Sequence, residues 1–374
     1  MPELHRSPFH AFHLRAGGKM VEYAGWELPL LYNLPGGGGG IIAEHEHTRR
    51  AASIFDVSHM GRLRFTGRDA EAFLQKICTR NLAKATAGQC VYSLICNAEG
   101  GILDDVIVTR FDKYWLMVCN AANRLKLLAW FNTQSQQLGL SPTLEDETLK
   151  TAMVAVQGPK AAGLLDEVLP DPVSEIKRYH AETMRMMMVV QFTVFRTGYT
   201  GEDGAELICG LNAANMAGNY LLKSGKDHPI LRPAGLGARD TLRMEAAMPL
   251  YGHELHEAVD PLSAGLGWAV DLTKDFIGVE ALRRINQTGP TQRLAGLFVE
   301  GPRAARQGMT VLNEGQAVGT VTSGVFSPTL KRCIALAYID VATLAAAPAT
   351  LTVDCRGTQI PAALTPLPFY KRPK

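Results

Sequence analysis

Short apolar runs bounded by glycine and polar residues dominate the chain. GRLRFTG (61–67), VYSLIC (91–96), GILDDVIVTRF (101–111) and YWLMVCN (114–120) mix β-branched and aromatic residues over strand lengths. TAMVAVQG (151–158) and MMMVVQFTVFRTGYTG (186–201) repeat that texture. Helical spacing is predicted between them, over 41–54, 121–138, 212–226 and 237–248. Strands and helices that interleave without a regular repeat predict an α+β fold. The polar stretch RRINQTGPTQ (283–292) reads as a linker. Beyond it LAGLFVEG, MTVLNEGQAVGTVTSG, CIALAYID and ATLTVDC predict a small all-β domain.

Length and charge narrow the classes. At 374 residues the chain exceeds one ordinary core, so two or three domains are expected. A net charge of +2 gives no bulk attraction for nucleic acid. No apolar run reaches the roughly 18 residues that span a bilayer. The opening MPELHRSPFH lacks the apolar core of a signal peptide. The seven cysteines are scattered and form no C-x-x-C, which fits free thiols in a reducing compartment. A cytoplasmic protein without a metal or a membrane partner is expected.

Several motifs invite chemistry. Gly36 to Gly40 resembles a phosphate loop, but the dinucleotide pattern would need glycine where Ile41 stands, and no Gly-Lys-Ser/Thr exists. The run reads as a flexible connector. His45 and His47 lie two apart, about 200° around a helix, and cannot share one ion. They read as a solvated helix face. His59 is a possible base, though a lone histidine near a strand start is more often structural.

Asp104 and Asp105 interrupt an apolar run. On a strand, Ile102, Asp104, Val106 and Val108 share one face, and Leu103, Asp105, Ile107 and Thr109 the other. The two carboxylates then diverge and form no dyad about 3 Å apart. The alternative is that both cap backbone amides in a turn before the strand. A second region is RTGYTGEDGAE (196–206), where three glycines mark a tight loop between strands and Tyr199 and Glu206 flank it. A third is PAGLGARDTLRME (233–245), where Arg239 and Arg243 face one way on a helix. Ion pairs with Asp240 or Glu245 would explain these arginines equally well.

KMVEYAGWELPL, FDVSHMG, CNAEGGILDDVIV, NAAN, VQGP, RTGYTGEDGAEL, PAGLGARDTLRMEAAMPLYGHEL, KDFIGVEAL, GTVTSGVFSPTL and PFYKRP occur in this order. With them, from about Pro8 to Tyr370, the chain resembles the glycine-cleavage T-proteins, the aminomethyltransferases. The glycine run departs from that family and replaces a short link. The resemblance implies three domains in a ring around a central folate site. Residues 1–282 would hold two intertwined α+β domains and 283–374 a small barrel. It implies transfer of the methylene of an aminomethyl-lipoyl carrier protein to tetrahydrofolate, giving 5,10-methylenetetrahydrofolate, ammonia and dihydrolipoyl carrier.

By the same resemblance Asp105 is the essential aspartate, and Glu206 and Arg239 are ligand contacts. Tyr92, Asn120, Tyr199, Trp268 and Met60 line the folate cavity. Tetrahydrofolate enters as co-substrate. Basic residues at 283–284, 303–306, 331–332 and 371–374 are candidates for docking an acidic carrier. Two rivals are a tetrahydrofolate-dependent demethylase of a small methylated substrate and a non-enzymatic folate-binding iron–sulfur assembly factor. The latter carries a Lys-Gly-Cys motif, whereas the corresponding Lys274–Glu280 stretch has no cysteine.

Overall fold

The computed structural model describes residues 3–34, 39–186, 190–216 and 230–373. Gly36–Gly38, residues 187–189 of the methionine-rich run and most of the helix expected over 212–226 lie outside them. The chain divides into two compact units. Met1–Phe73, Lys84–Val91 and Ile107–Asp240 form the first; Leu74–Ala83, Tyr92–Val106 and Thr241–Lys374 form the second.

In the first unit a small sheet has the order β1(His5–Arg6)-β3(Trp26–Tyr32)-β2(Gly18–Tyr23), beside α1(His10–Arg15). A six-stranded sheet runs β11(Ala181–Met186)-β12(Val190–Phe195)-β13(Gly204–Gly210)-β10(Thr151–Gln157)-β4(Ala52–Asp56)-β14(Leu231–Pro233). Its register places Phe195 opposite Glu206, Glu206 opposite Ala155, and Ala155 opposite Phe55. These four side chains therefore share one face of the sheet. The apolar partners Val156, Leu164, Leu165 and Val194 are buried together, with α5(Ala161–Val168) supplying the leucines.

A further sheet has the order β6(Cys90–Cys96)-β7(Ile102–Arg110)-β8(Trp115–Cys119)-β5(Gly61–Thr66)-β9(Thr143–Asp146). Phe65, Phe73 and Phe131 interlock beside it, with ring centroids 5.7 to 6.3 Å apart. Phe73 comes from α3(Ala70–Ile77) and Phe131 from α4(Arg124–Leu138). Gly139 ends α4 in the left-handed region at φ 63°, where glycine carries no Cβ penalty.

The second unit holds a closed barrel, β15(Gln292–Val299)-β18(Arg332–Asp340)-β17(Gln316–Ser327)-β16(Thr310–Asn313)-β19(Leu351–Cys355)-β20(Thr358–Thr365). Its interior is filled by Leu297, Val311, Val321, Ile339 and Val353. A second core of Leu94, Ile102, Leu255, Phe276 and Leu282 packs within the same unit. Closure removes the exposed strand edges that an open sheet would carry. The α+β class and the terminal barrel expected from the sequence are both present.

Three local expectations differ, and one alternative falls away. The helix predicted over 41–54 is α2(Ile41–Arg50) and stops there, because the β-branched and aromatic ASIF run enters β4. The linker 283–292 is largely α7(Val279–Thr288), preceded in the chain by α6(Leu236–Glu245). Its polar text is the exposed side of an amphipathic helix whose Val279, Ala281 and Leu282 are buried. His45 and His47 do not form a solvated face: both are buried, and His47 Nε2 lies 2.8 Å from the Ile230 carbonyl. Asp104 and Asp105 both lie inside β7, which removes the alternative of a preceding turn.

Candidate functional site

The predicted site residues of the first unit stand on three supports. The first is the turn from Arg196 to Gly204. Arg196 grips Asp203 through two bonds of 2.8 and 3.1 Å, and Arg49 donates to Glu202 at 2.8 Å. Buried Gln157 donates to the Thr197 carbonyl at 3.2 Å and accepts from the Thr200 hydroxyl at 2.9 Å. Gly198 is demanded by this packing, since a Cβ there would stand 2.0 Å from Gln157 Oε1. The turn thus holds Tyr199 half-buried and leads into β13, where Glu206 is buried and accepts a bond from the Thr197 hydroxyl. A buried carboxylate with few donors has strong reason to take more from a ligand.

The second support is α6. It carries Arg239, whose guanidinium lies 5.0 Å from the Tyr199 ring centroid. Arg239 also lines a small recess with Pro29, Phe55, Asp56, Ala234, Gly235 and Leu236. Buried Glu44 braces this wall by accepting from the Gly235 amide at 2.8 Å and the Tyr32 amide at 2.6 Å. Burial raises the Glu44 pKa, and those amide bonds oppose the rise.

The third support is the Asp56–Met60 turn. Asp56 accepts from the Ser58 amide at 2.9 Å, and the Ser58 hydroxyl donates to the Met153 carbonyl at 3.1 Å. Fully buried Arg62 donates to the Ser58 carbonyl at 3.0 Å and also to the Met60 carbonyl. Met60 and Asn120 flank the Gly61–Cys119 pair where β5 and β8 lie side by side. A Cβ on Gly61 would stand 2.3 Å from Cys119 Sγ, so glycine at 61 leaves the space that the Cys119 side chain fills.

His59 sits in the same turn, buried, with its ring edge-on to Tyr23. Burial pushes its pKa down to about 3, Arg239 and Arg62 add to that, and Asp56 opposes. The imidazole is neutral at physiological pH, so it does not serve as a cationic acid.

Behind the turn lies a network that no motif announces. Ser7 donates to Asp56 Oδ2, His13 Nε2 lies 2.8 Å from the same oxygen, and Tyr32 Oη lies 2.7 Å from His13 Nδ1. All four side chains are buried. Their separations of 19 to 49 residues follow no motif spacing, and only the fold brings them together.

The second unit holds the remaining predicted residues. Asp104 is fully buried, whereas Asp105 is half-buried, as strand alternation requires. The Tyr92 hydroxyl donates to Asp105 Oδ2 at 3.2 Å. The Tyr92 ring stacks on Trp268 with centroids 5.4 Å apart and planes 23° apart. Trp268 is 62% exposed, a large apolar face left open beside a carboxylate. Arg80 fixes its backbone by donating to the Trp268 carbonyl at 2.6 Å. Arg243, the helical neighbour of Arg239, pairs with Glu254 at 2.8 Å and donates to the Ser323 hydroxyl at 3.0 Å. Among the described residues no group of three His, Cys, Asp or Glu side chains is placed to hold a metal.

The predicted residues are thus divided: Tyr199, Glu206 and Arg239 belong to the first unit, and Tyr92, Asp105 and Trp268 to the second. The family model described as GCVT N-terminal domain matches residues 9–274, and that described as glycine cleavage T-protein C-terminal barrel domain matches residues 292–371. An aminomethyltransferase of Symbiobacterium thermophilum is 41% identical over 99% of this chain and 98% of its own length. One of Rubrobacter xylanophilus is 42% identical over 99% and 95%. The crystal structure of the glycine cleavage system aminomethyltransferase T from Bartonella henselae superposes with a TM-score of 0.88 at 30% identity, covering 99% of each chain. The chain belongs to the glycine cleavage T-protein family, the aminomethyltransferases.

Proposed function

We propose that this chain transfers the methylene of an aminomethyl-lipoyl carrier protein to tetrahydrofolate. The products are 5,10-methylenetetrahydrofolate, ammonia and the dihydrolipoyl carrier. The observation that carries the reading is the similarity to aminomethyltransferases over 99% of the chain. Within it, residues 1–282 carry the folate chemistry and residues 283–374 the barrel.

The side chains supply the steps. Glu206 accepts adjacent N–H groups of the pterin in a charge-assisted pair. Tyr199, Tyr92 and Trp268 offer faces to flat rings, and Met60 and Asn120 line the cavity. Asp105 orients N10, accepts its proton during ring closure and favours the developing iminium. The carbon–sulfur and carbon–nitrogen bonds of the aminomethyl group break, and two bonds to N5 and N10 form. The two folate protons leave with sulfur and with ammonia. Holding two large substrates together contributes most of the acceleration. The test follows ammonia from aminomethylated lipoyl carrier with and without tetrahydrofolate. Folate-dependent release supports the reading; tight folate binding without release returns the demethylase and the assembly factor.

A further inference from the structure

Two buried polar atoms beside Arg239 and the Asp56–Met60 turn lack a hydrogen-bond partner among the described residues: His59 Nδ1 and Arg239 Nη1. Buried polar atoms without partners are few in folded proteins, and each calls for a reason. His59 is 4% exposed and follows closely on Asp56, which lines the recess with Arg239. The Asp56 carboxylate bonds neither atom. Asp56 Oδ2 is taken by Ser7 and His13, and Oδ1 by the Ser58 amide.

Both orphans are held rigidly. Ser58, next to His59, is bonded at its amide, its hydroxyl and its carbonyl. The Arg239 guanidinium rests on Tyr199. A preorganised orphan loses little further freedom when a ligand atom meets it. The location also fits. Arg239 shares its recess with Phe55, and Phe55 lies in the cross-strand row that ends at Glu206.

We propose that His59 Nδ1–H and Arg239 Nη1–H form a two-donor cradle for one acceptor oxygen of the bound ligand, the 4-oxo group of the pterin, and that His59 sets specificity for it. This rests on the folate reading above. The pyrimidine edge of a pterin presents an acceptor beside two donors. A carboxylate complements the donors, and a pair of N–H groups complements the adjacent oxygen. The neutral imidazole donates from the Nδ1–H tautomer, and a ligand lacking the oxygen leaves both donors buried and unmatched. A site built to bond one oxygen rejects an analogue without it for that reason.

The experiment measures binding of tetrahydrofolate and of its 4-amino analogue, in which nitrogen replaces that oxygen, to the full chain by titration calorimetry. The analogue also alters N3, which faces Glu206, so the quantity read is the change in the affinity ratio between variants. His59→Phe is expected to weaken tetrahydrofolate about tenfold, the scale of one lost hydrogen bond, and the analogue less than about twofold. An equal loss for both ligands, or no loss, overturns the proposal while leaving the folate reading intact. His59→Asn and His59→Gln keep the test open if the Phe variant fails to fold. An Asn amide nitrogen falls near the Nδ1 position and a Gln one near Nε2. Tighter tetrahydrofolate binding by Asn than by Gln supports the cradle; the reverse order overturns it. Wild-type protein that binds neither ligand removes the folate reading itself.

Discussion

Asp104 and Asp105 differ by one peptide bond and by the face of β7 they occupy. Asp104 is fully buried on the face that carries Ile102, Val106 and Val108, while Asp105 is half-buried and takes a bond from Tyr92. Asp105→Asn should keep the melting temperature within about 2 °C, because a half-buried isostere changes little packing. Turnover should fall about 100-fold or more, the scale of a positioned acid–base group. Asp104→Asn should cost less turnover. Thermal unfolding alongside steady-state kinetics checks both, and equal turnover in wild type and Asp105→Asn would remove the assigned role. Tyr92→Phe deletes only the hydroxyl that bonds Asp105. It should lower kcat severalfold while the Trp268 stack keeps folate affinity within about threefold.

Elements show where a sequence is readable and where it is not. The β7 alternation, the Gly-rich turn before Glu206 and the barrel strands were legible because each rests on local period or turn chemistry. The burial of His45 and His47 was not, since nothing in the α2 text marks a polar helix as an interior one. Ser7, His13, Tyr32 and Asp56 were equally silent, because their contacts arise from topology alone. That network makes a stability prediction. Burial would raise the Asp56 pKa, but bonds from His13, Ser7 and Ser58 overcome it and hold the carboxyl below its usual value. A carboxyl lowered on folding stabilises the fold above its unfolded pKa, about 3.9, and loses that contribution as pH falls from there through the lower folded value. His13→Ala should cost about 3 kcal/mol at neutral pH by leaving the buried carboxylate without its partner. It should also flatten the decline in stability below about pH 4, as urea titrations across pH would register. At the next turn, Gly198→Ala would force Gln157 aside and should cost about 1–3 kcal/mol. A loss of folate affinity is expected with it.

Across the whole molecule the relatives match nearly the full length, so the reading covers every part of the chain. The carrier partner adds a surface requirement. Among the basic residues expected to meet an acidic carrier, Arg283 is already engaged with the Leu272 carbonyl and Glu280, and Arg332 lies 3.9 Å from the Phe298 ring centroid. Lys331 and Arg303 are exposed. Lys331→Glu with Arg303→Glu should raise KM for the carrier severalfold, more at low salt than high, and leave KM for tetrahydrofolate unchanged. The most direct measurement of the central claim is formation of 5,10-methylenetetrahydrofolate from aminomethylated carrier, by wild type and Asp105→Asn, at equal folate occupancy. Wild type should transfer one methylene per ammonia released, and the variant almost none. Equal product from both, or ammonia without methylenetetrahydrofolate, would contradict it.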